Sequence, residues 1–189
     1  MPDAPSLRLR TRLRVATADA HARVDGLMAG GFGDARGYRA YLGGMHAFVV
    51  ALLPAVRDQA AALQWELPDW DALLRQDMAQ TGAPAINGIA PLPGCDRTQA
   101  LGALYVLEGA ALGARMLVRQ VQALGHGPHS GARFLHAHAD GDAGQRWPRF
   151  LALLESEHHP STAASACAAA QDAFLLAELC LRSAKERLQ

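Results

Sequence analysis

Cysteine is scarce in this sequence: Cys95, Cys167 and Cys180 are the only three in 189 residues. They are odd in number, widely spaced and free of any CxxC pair. That pattern argues against a disulfide framework or a zinc site and suits a reducing cytoplasm. Net charge is also missing, because eighteen Lys and Arg balance eighteen Asp and Glu. Bulk attraction to nucleic acid or to an anionic membrane is therefore not expected. The one local excess is the alternating run Arg8, Arg10, Arg12 and Arg14. No uninterrupted apolar run approaches the ~18 residues of a membrane-crossing helix, so no membrane span is expected. The arginine-bearing start is not followed by the apolar segment of a secretory signal. GxSxG, P-loop, GxGxxG and HExxH patterns are all absent, and no paired carboxylates single out acid–base catalysis.

What is present is a helical composition. Half the residues are hydrophobic and 19% are charged, enough for a chain of this length to bury a core without metals or disulfides. We expect one domain over residues 1–189, with residues 1–5 disordered. Alanine and leucine dominate and β-branched runs are few, which points to an all-α fold. Ser6 can cap a first helix reaching about Met28, with Leu9, Leu13, Ala16, Ala20, Val24 and Leu27 at the spacing of a buried face. Gly30, Gly31 and Gly33 end it. Asp34 can cap a second helix, in which Pro54 is a candidate kink. Pro68 and Asp69 introduce a third, from Trp70 to about Gln80. Residues 81–97 read as loop. Asp96 or Thr98 caps a long helix to about Leu124, 133–138 forms a single helical turn, and Gln145 to about Glu157 is helical. Pro160 and Ser161 start the last helix, whose alanine-rich part, 163–170, reads as tight helix packing.

Three features could carry chemistry. The first is a bald stripe on the long helix: Gly102, Gly109 and Gly113, which fall within roughly 40° of one another at about 100° per residue. Each glycine costs a helix about 0.5–1 kcal/mol relative to alanine, so something approaches that backbone closely, either another helix or a flat ligand. The second is His21, at the edge of the first helix's apolar face. It reads as a partly buried core residue or as an axial metal ligand whose other ring N–H needs a fixed partner, for which Asp25 is a candidate. The third is cationic: Arg14, two turns before His21, and Arg146 and Arg149, flanking Trp147 and Pro148. These are either solvated surface arginines or forks for carboxylates. The histidine pairs His126/His129, His136/His138 and His158/His159 lack supporting acids or cysteines and read as surface residues.

With these residues in view, a family resemblance emerges. Leu13-Arg14 followed by Ala16-Thr17-Ala18-Asp19-Ala20-His21 resembles the first helix of heme oxygenases. The run from Gly102 through Tyr105-Val106-Leu107-Glu108-Gly109 to Leu112-Gly113-Ala114 resembles the distal helix of the bacterial, bacteriophytochrome-associated branch. Arg133–Leu154, with Arg146-Trp147-Pro148-Arg149-Phe150-Leu151, is similar to the corresponding part of that branch. The resemblance covers most of the chain and implies a compact, single-domain heme oxygenase-like helical bundle. It further implies a heme held between the first helix and the distal helix, with His21 ligating iron. Gly109, Ala110 and Gly113 would form the catalytic distal surface, and Arg14, Arg146 and Arg149 would hold propionates. The implied reaction uses O2 and electrons from an external donor of reductase or ferredoxin type to give biliverdin, carbon monoxide and ferrous iron. A bacteriophytochrome receiving biliverdin is among the partners the branch admits. The sequence departs from the family at Ala110, where the better-known branch has aspartate and many bacterial relatives have serine, and at Ala114, which replaces a second glycine. Ala110 keeps a heme carrier or sensor of the same fold, without ring opening, as an alternative. A helical binding module or another enzyme of related architecture, such as a thiamine-salvage type, would instead have His21 as a core residue and the glycines as helix packing.

Overall fold

The computed structural model describes residues 8–139, 143–157 and 159–188. The expected disorder of residues 1–5, the expected Ser6 cap and His158 lie outside these residues. Eight α-helices and a short 3₁₀ turn follow in order among the described residues. They are α1 Leu9–Ala16, α2 Ala18–Leu27, α3 Ala35–Ala62, α4 Trp70–Thr81 and α5 Arg97–Ala123. After these come α6 Arg133–Ala139, α7 Ala143–Ser156, the turn Pro160–Thr162 and α8 Ala163–Arg187. No strand forms among the described residues, where only isolated bridges join Gly127 to Ser130 and Gly131.

Short-range chemistry sets most of the boundaries. Asp34 accepts a hydrogen bond from Gly37 N (2.8 Å) at the start of α3. Asp69 accepts from Ala72 N (3.0 Å) at the start of α4. Asp96 and Gln99 form a reciprocal capping box at α5, satisfying N–H groups that a helix start leaves without partners. Gly30, Gly31 and Gly33 take positive φ after α2, a conformation that costs glycine little.

Two expectations change. The single first helix breaks at Thr17, which adopts φ −104°, ψ 2°. The buried Thr17 hydroxyl donates to Leu13 O (2.8 Å), and such a bond back along the helix bends it. Pro54, expected to kink or shorten α3, lies inside a helix that continues to Ala62. Its ring is exposed, and the turns around it are held by buried Leu52, Leu53, Ala55 and Val56. The loop before α5 lies on this part of α3, with Leu92 N donating to Ala51 O (2.9 Å) and the Cys95 thiol to Ala55 O (2.8 Å).

α8 is the central post. Its Ala163, Ala166, Ala170, Ala173 and Ala177 are buried, and the small side chains let α5 approach. A Cβ on Gly102 would lie 2.0 Å from Ala166 O. α3 and α8 each contain an 18-residue window apolar enough to match a membrane span by length and composition, 78% and 44% buried respectively. Both helices pack against each other inside the bundle.

Polar groups on the side of α8 facing α1 and α2 recur every seven residues. Gln171 Nε2 donates to Ala16 O (2.8 Å), Glu178 accepts from Arg23 Nε (2.8 Å), and Lys185 Nζ donates to Leu27 O. The α1–α2 unit therefore runs alongside α8 in one direction, held at three levels.

Candidate functional site

His21 projects from α2 between the upper two of these ties. Its side chain is 60% exposed, and Nδ1 lies 2.9 Å from Asp25 Oδ2 one turn on. The ring stands edge-on to Phe174 of α8, with centroids 5.5 Å apart. A core histidine would be buried, so that alternative is set aside. Asp25 thus engages one ring nitrogen of His21. This is the arrangement of a metal-ligating imidazole with an orienting carboxylate behind it.

The glycine stripe on α5 separates into three environments. Gly102 is a packing glycine, pressed on the backbone of α8. Gly109 faces the Trp147 ring, whose Cη2 and Cζ3 would lie 3.8 Å from an added Cβ. Gly113 has no described residue within 4 Å of that position. Helix packing thus explains the first glycine, and an open approach to the backbone remains at the last. Ala110, between them, is half-buried.

Two points along α5 relate to the segment that carries α1 and α2. At the first, half-buried Tyr105 lies in the field of Arg10 and Arg14. Burial pushes its phenol up and the two cations pull it down. Tyr105 also packs on Trp147, with centroids 5.5 Å apart. Arg10 N donates to Glu155 of α7 (3.2 Å). At the second, Phe32 N, just after α2, donates to Gln120 Oε1 near the end of α5 (3.0 Å). Along the sequence, His21 falls between Arg14 and Phe32, and Gly109 and Gly113 fall between Tyr105 and Gln120. A cleft of about 580 Å³ exists elsewhere, lined by Leu53, Arg57, Trp65, Glu66 and Asp71. A second of about 230 Å³ adjoins Met28, Phe32, Tyr41 and Lys185. Neither includes His21, Gly109 or Gly113.

No family model matches the chain. Individual relatives do. Heme oxygenase PigA of Pseudomonas aeruginosa is 30% identical over 182 residues, covering 92% of this chain and 91% of that protein. The chain belongs to the heme oxygenase family. A heme oxygenase of Xanthomonas campestris pv. campestris is 32% identical over 109 residues, covering 57% of this chain and 64% of that protein. The NO- and CO-bound heme oxygenase structure from Neisseria meningitidis superposes with a TM-score of 0.74 at 28% identity, covering 94% and 92% of the two chains. The all-α fold expected from composition and periodicity is therefore the heme oxygenase fold.

The arginines expected at this family's ligand site divide. Arg14 and Arg149 are exposed. Arg146 is not available as a carboxylate fork for a ligand, because its guanidinium is already engaged inside the protein. Nε lies 2.7 Å from Glu108 Oε2, and Nη2 lies 2.6 Å from Glu108 Oε1 and 2.8 Å from Glu66 O. The group also lies over the rings of Trp65 and Trp70, 4.6 and 5.5 Å from their centroids. Glu108 is 1% exposed and additionally accepts from Trp65 Nε1 (2.8 Å).

Sequence reasoning missed this cluster, although one signal was present: Glu108 is the only charged residue between Leu101 and Leu112. His138, expected at the surface, is buried beside the same cluster. It stacks on Trp70 (5.2 Å) and packs on Phe134 (4.3 Å). Burial holds its pKa down near about 4, helped by the Arg146 charge and opposed by the bond to Phe134 O. Helix α6 brings it there, started by fully buried Asp77, whose carboxylate accepts from Arg133 N (3.0 Å) and Phe134 N (2.9 Å). His136 is buried as well. Among the described residues no group of three His, Cys, Asp or Glu could hold a metal ion by itself.

Proposed function

We propose that this protein is a heme oxygenase that degrades heme with O2 and external electrons to biliverdin, carbon monoxide and ferrous iron. The observation that carries this reading is His21: an exposed imidazole with Nδ1 bonded to Asp25 and Nε2 free, in a chain of this family. When bound, heme supplies both the iron that takes oxygen and the ring that is cut.

The chain's own residues hold and shape the site. His21 Nε2 ligates iron, and Asp25 fixes the ring and increases its basicity by accepting the Nδ1–H. Gly109 and Gly113 would form the other wall, where the missing side chain at Gly113 would let the ligand approach the helix. Trp147 covers the wall at Gly109 and limits water there. Arg14 and Arg149 are the forks for propionates. Ala110 provides no hydroxyl or carboxylate to hold water near the reacting face.

The same reading includes an external electron donor of reductase or ferredoxin type. The Tyr105-Val106-Leu107-Glu108-Gly109 run supports membership of the bacteriophytochrome-associated branch, with a bacteriophytochrome receiving biliverdin. The three free cysteines support a cytoplasmic location, and burial of the apolar window of α3 supports a soluble protein without a membrane span. Residues 1–189 form one domain in this reading.

Ala110 also favours a second reading, a heme carrier or sensor that binds without turnover. Titration with hemin, followed by ascorbate and catalase in air, separates the two. Stoichiometric binding with replacement of the Soret band by verdin absorption supports the enzyme. Binding without conversion under this donor, and under a ferredoxin–reductase couple, supports the carrier. His21→Ala should change the ferric spectrum, and an unchanged spectrum would remove His21 as the ligand.

A further inference from the structure

Buried ion pairs contribute little net stability compared with a well-packed apolar pair, because desolvating both charges costs about as much as their attraction returns. What a bidentate arginine–carboxylate pair does supply is geometry, since two parallel bonds fix both distance and rotation. Glu108 and Arg146 form such a pair across 38 residues, with bonds of 2.7 and 2.6 Å. Trp65 Nε1 and Glu66 O occupy further polar positions of the pair, leaving little freedom to rearrange.

The immediate chain neighbours of this pair face each other. Gly109 follows Glu108 on α5, and Trp147 follows Arg146 on α7. The Trp147 ring lies at van der Waals distance, 3.8 Å, from the Cβ position of Gly109. Its other ring contacts are Tyr105 at 5.5 Å and Phe150 at 6.1 Å.

We infer that the Glu108–Arg146 pair is a positioning device for the distal wall: it sets the register of α7 against α5 and thereby seats Trp147 on Gly109. Neither residue touches the ligand in this account; both act through Trp147. The consequence for the ligand rests on the heme oxygenase reading, whereas the seating itself belongs to the ligand-free protein.

The experiment uses the full chain labelled with 5-fluorotryptophan. Its three tryptophans give three 19F lines, and Trp147→Phe identifies that of Trp147. In the ligand-free protein, Glu108→Gln and Arg146→Met should shift or broaden the Trp147 line while far-UV circular dichroism stays that of the folded chain. Arg146→Lys, which keeps the charge but not the fork, should fail to restore it.

With hemin bound, the pH midpoint of the ferric acid–alkaline transition should move in Arg146→Met as it does in Trp147→Ala. The double variant should move no further than Trp147→Ala alone, as expected of residues acting in series. Hemin affinity should fall by about tenfold in each. A Trp147 line at its wild-type position in both folded variants overturns the inference, and so do additive shifts in the double variant. If Arg146→Met does not fold, Glu108→Gln decides. If the wild type takes up no hemin, the functional reading fails and the 19F comparison still decides the positioning role.

Discussion

Placing one methyl group at two positions of the α5 glycine stripe should give opposite results. At Gly102 the new Cβ would lie 2.0 Å from Ala166 O and 2.8 Å from Ala166 C. Those are backbone atoms of α8, which cannot move aside without shifting the helix that α1, α2, α3 and α5 all rest on. Overpacking of this kind costs about 1–3 kcal/mol, and the gain in helix propensity, about 1 kcal/mol, offsets only part of a backbone collision. Gly102→Ala should therefore destabilise the ligand-free protein by up to roughly 2 kcal/mol, lowering the melting temperature by about 2–4 °C per kcal/mol at this chain length. At Gly113 no described residue lies within 4 Å, so Gly113→Ala should stabilise by about 0.5–1 kcal/mol through propensity alone. The assay is urea unfolding of the ligand-free protein followed by far-UV circular dichroism, with midpoints compared at unchanged m. Equal signs for the two variants would refute the division of the stripe into a packing glycine and an open one. A leucine at 113 carries the same logic to the ligand: folding persists, and hemin conversion should be lost.

Two further outcomes follow from polar groups. His138 is held near a pKa of about 4, against 6.5 for a free histidine, so between these values the unfolded chain binds more protons. Stability should therefore fall as pH drops from about 6.5 towards 4, by up to roughly 3 kcal/mol from this group. His138→Phe should flatten that part of the stability–pH curve measured by urea unfolding, and an unchanged slope would exclude His138 as its source. Asp25→Ala should leave the fold intact, because the His21–Asp25 pair is exposed, and should weaken hemin binding by about tenfold through loss of the ring's orienting partner. Equal affinity in a hemin titration would reduce Asp25 to a surface carboxylate.

The parts of the molecule that were legible in the sequence are those fixed by neighbours a few residues apart. Asp34, Asp69 and Asp96 each cap the helix that follows because a cap needs only its own side chain and the next three residues. His21 and Asp25 were legible for the same reason, being one helical turn apart. The break at Thr17 was not, since a hydroxyl bonded back to Leu13 O competes with a regular helix only when burial keeps water from it. Arg146 looked like one more surface cation until its partner 38 residues earlier came into contact with it. The stripe Gly102–Gly109–Gly113 was visible as spacing, but its meaning depended on what faced each position: a helix backbone, an indole ring or open space. His138 was misread because α6 depends on Asp77, a residue of α4, to supply its N-terminal hydrogen bonds.

The junction of Phe32 with Gln120 has a consequence for which sequences can drift in this protein. A Cβ at Gly31, already at φ +74°, would lie 1.9 Å from the Gln120 Oε1 that accepts from Phe32 N. Position 31 thus disfavours side chains through its backbone, and a side chain there would also have to push the Gln120 amide off its bond with Phe32 N. Shortening residue 120 removes only the second obstacle and leaves the Phe32 N–H without its acceptor. Changes at these two sites, 89 residues apart, are not independent.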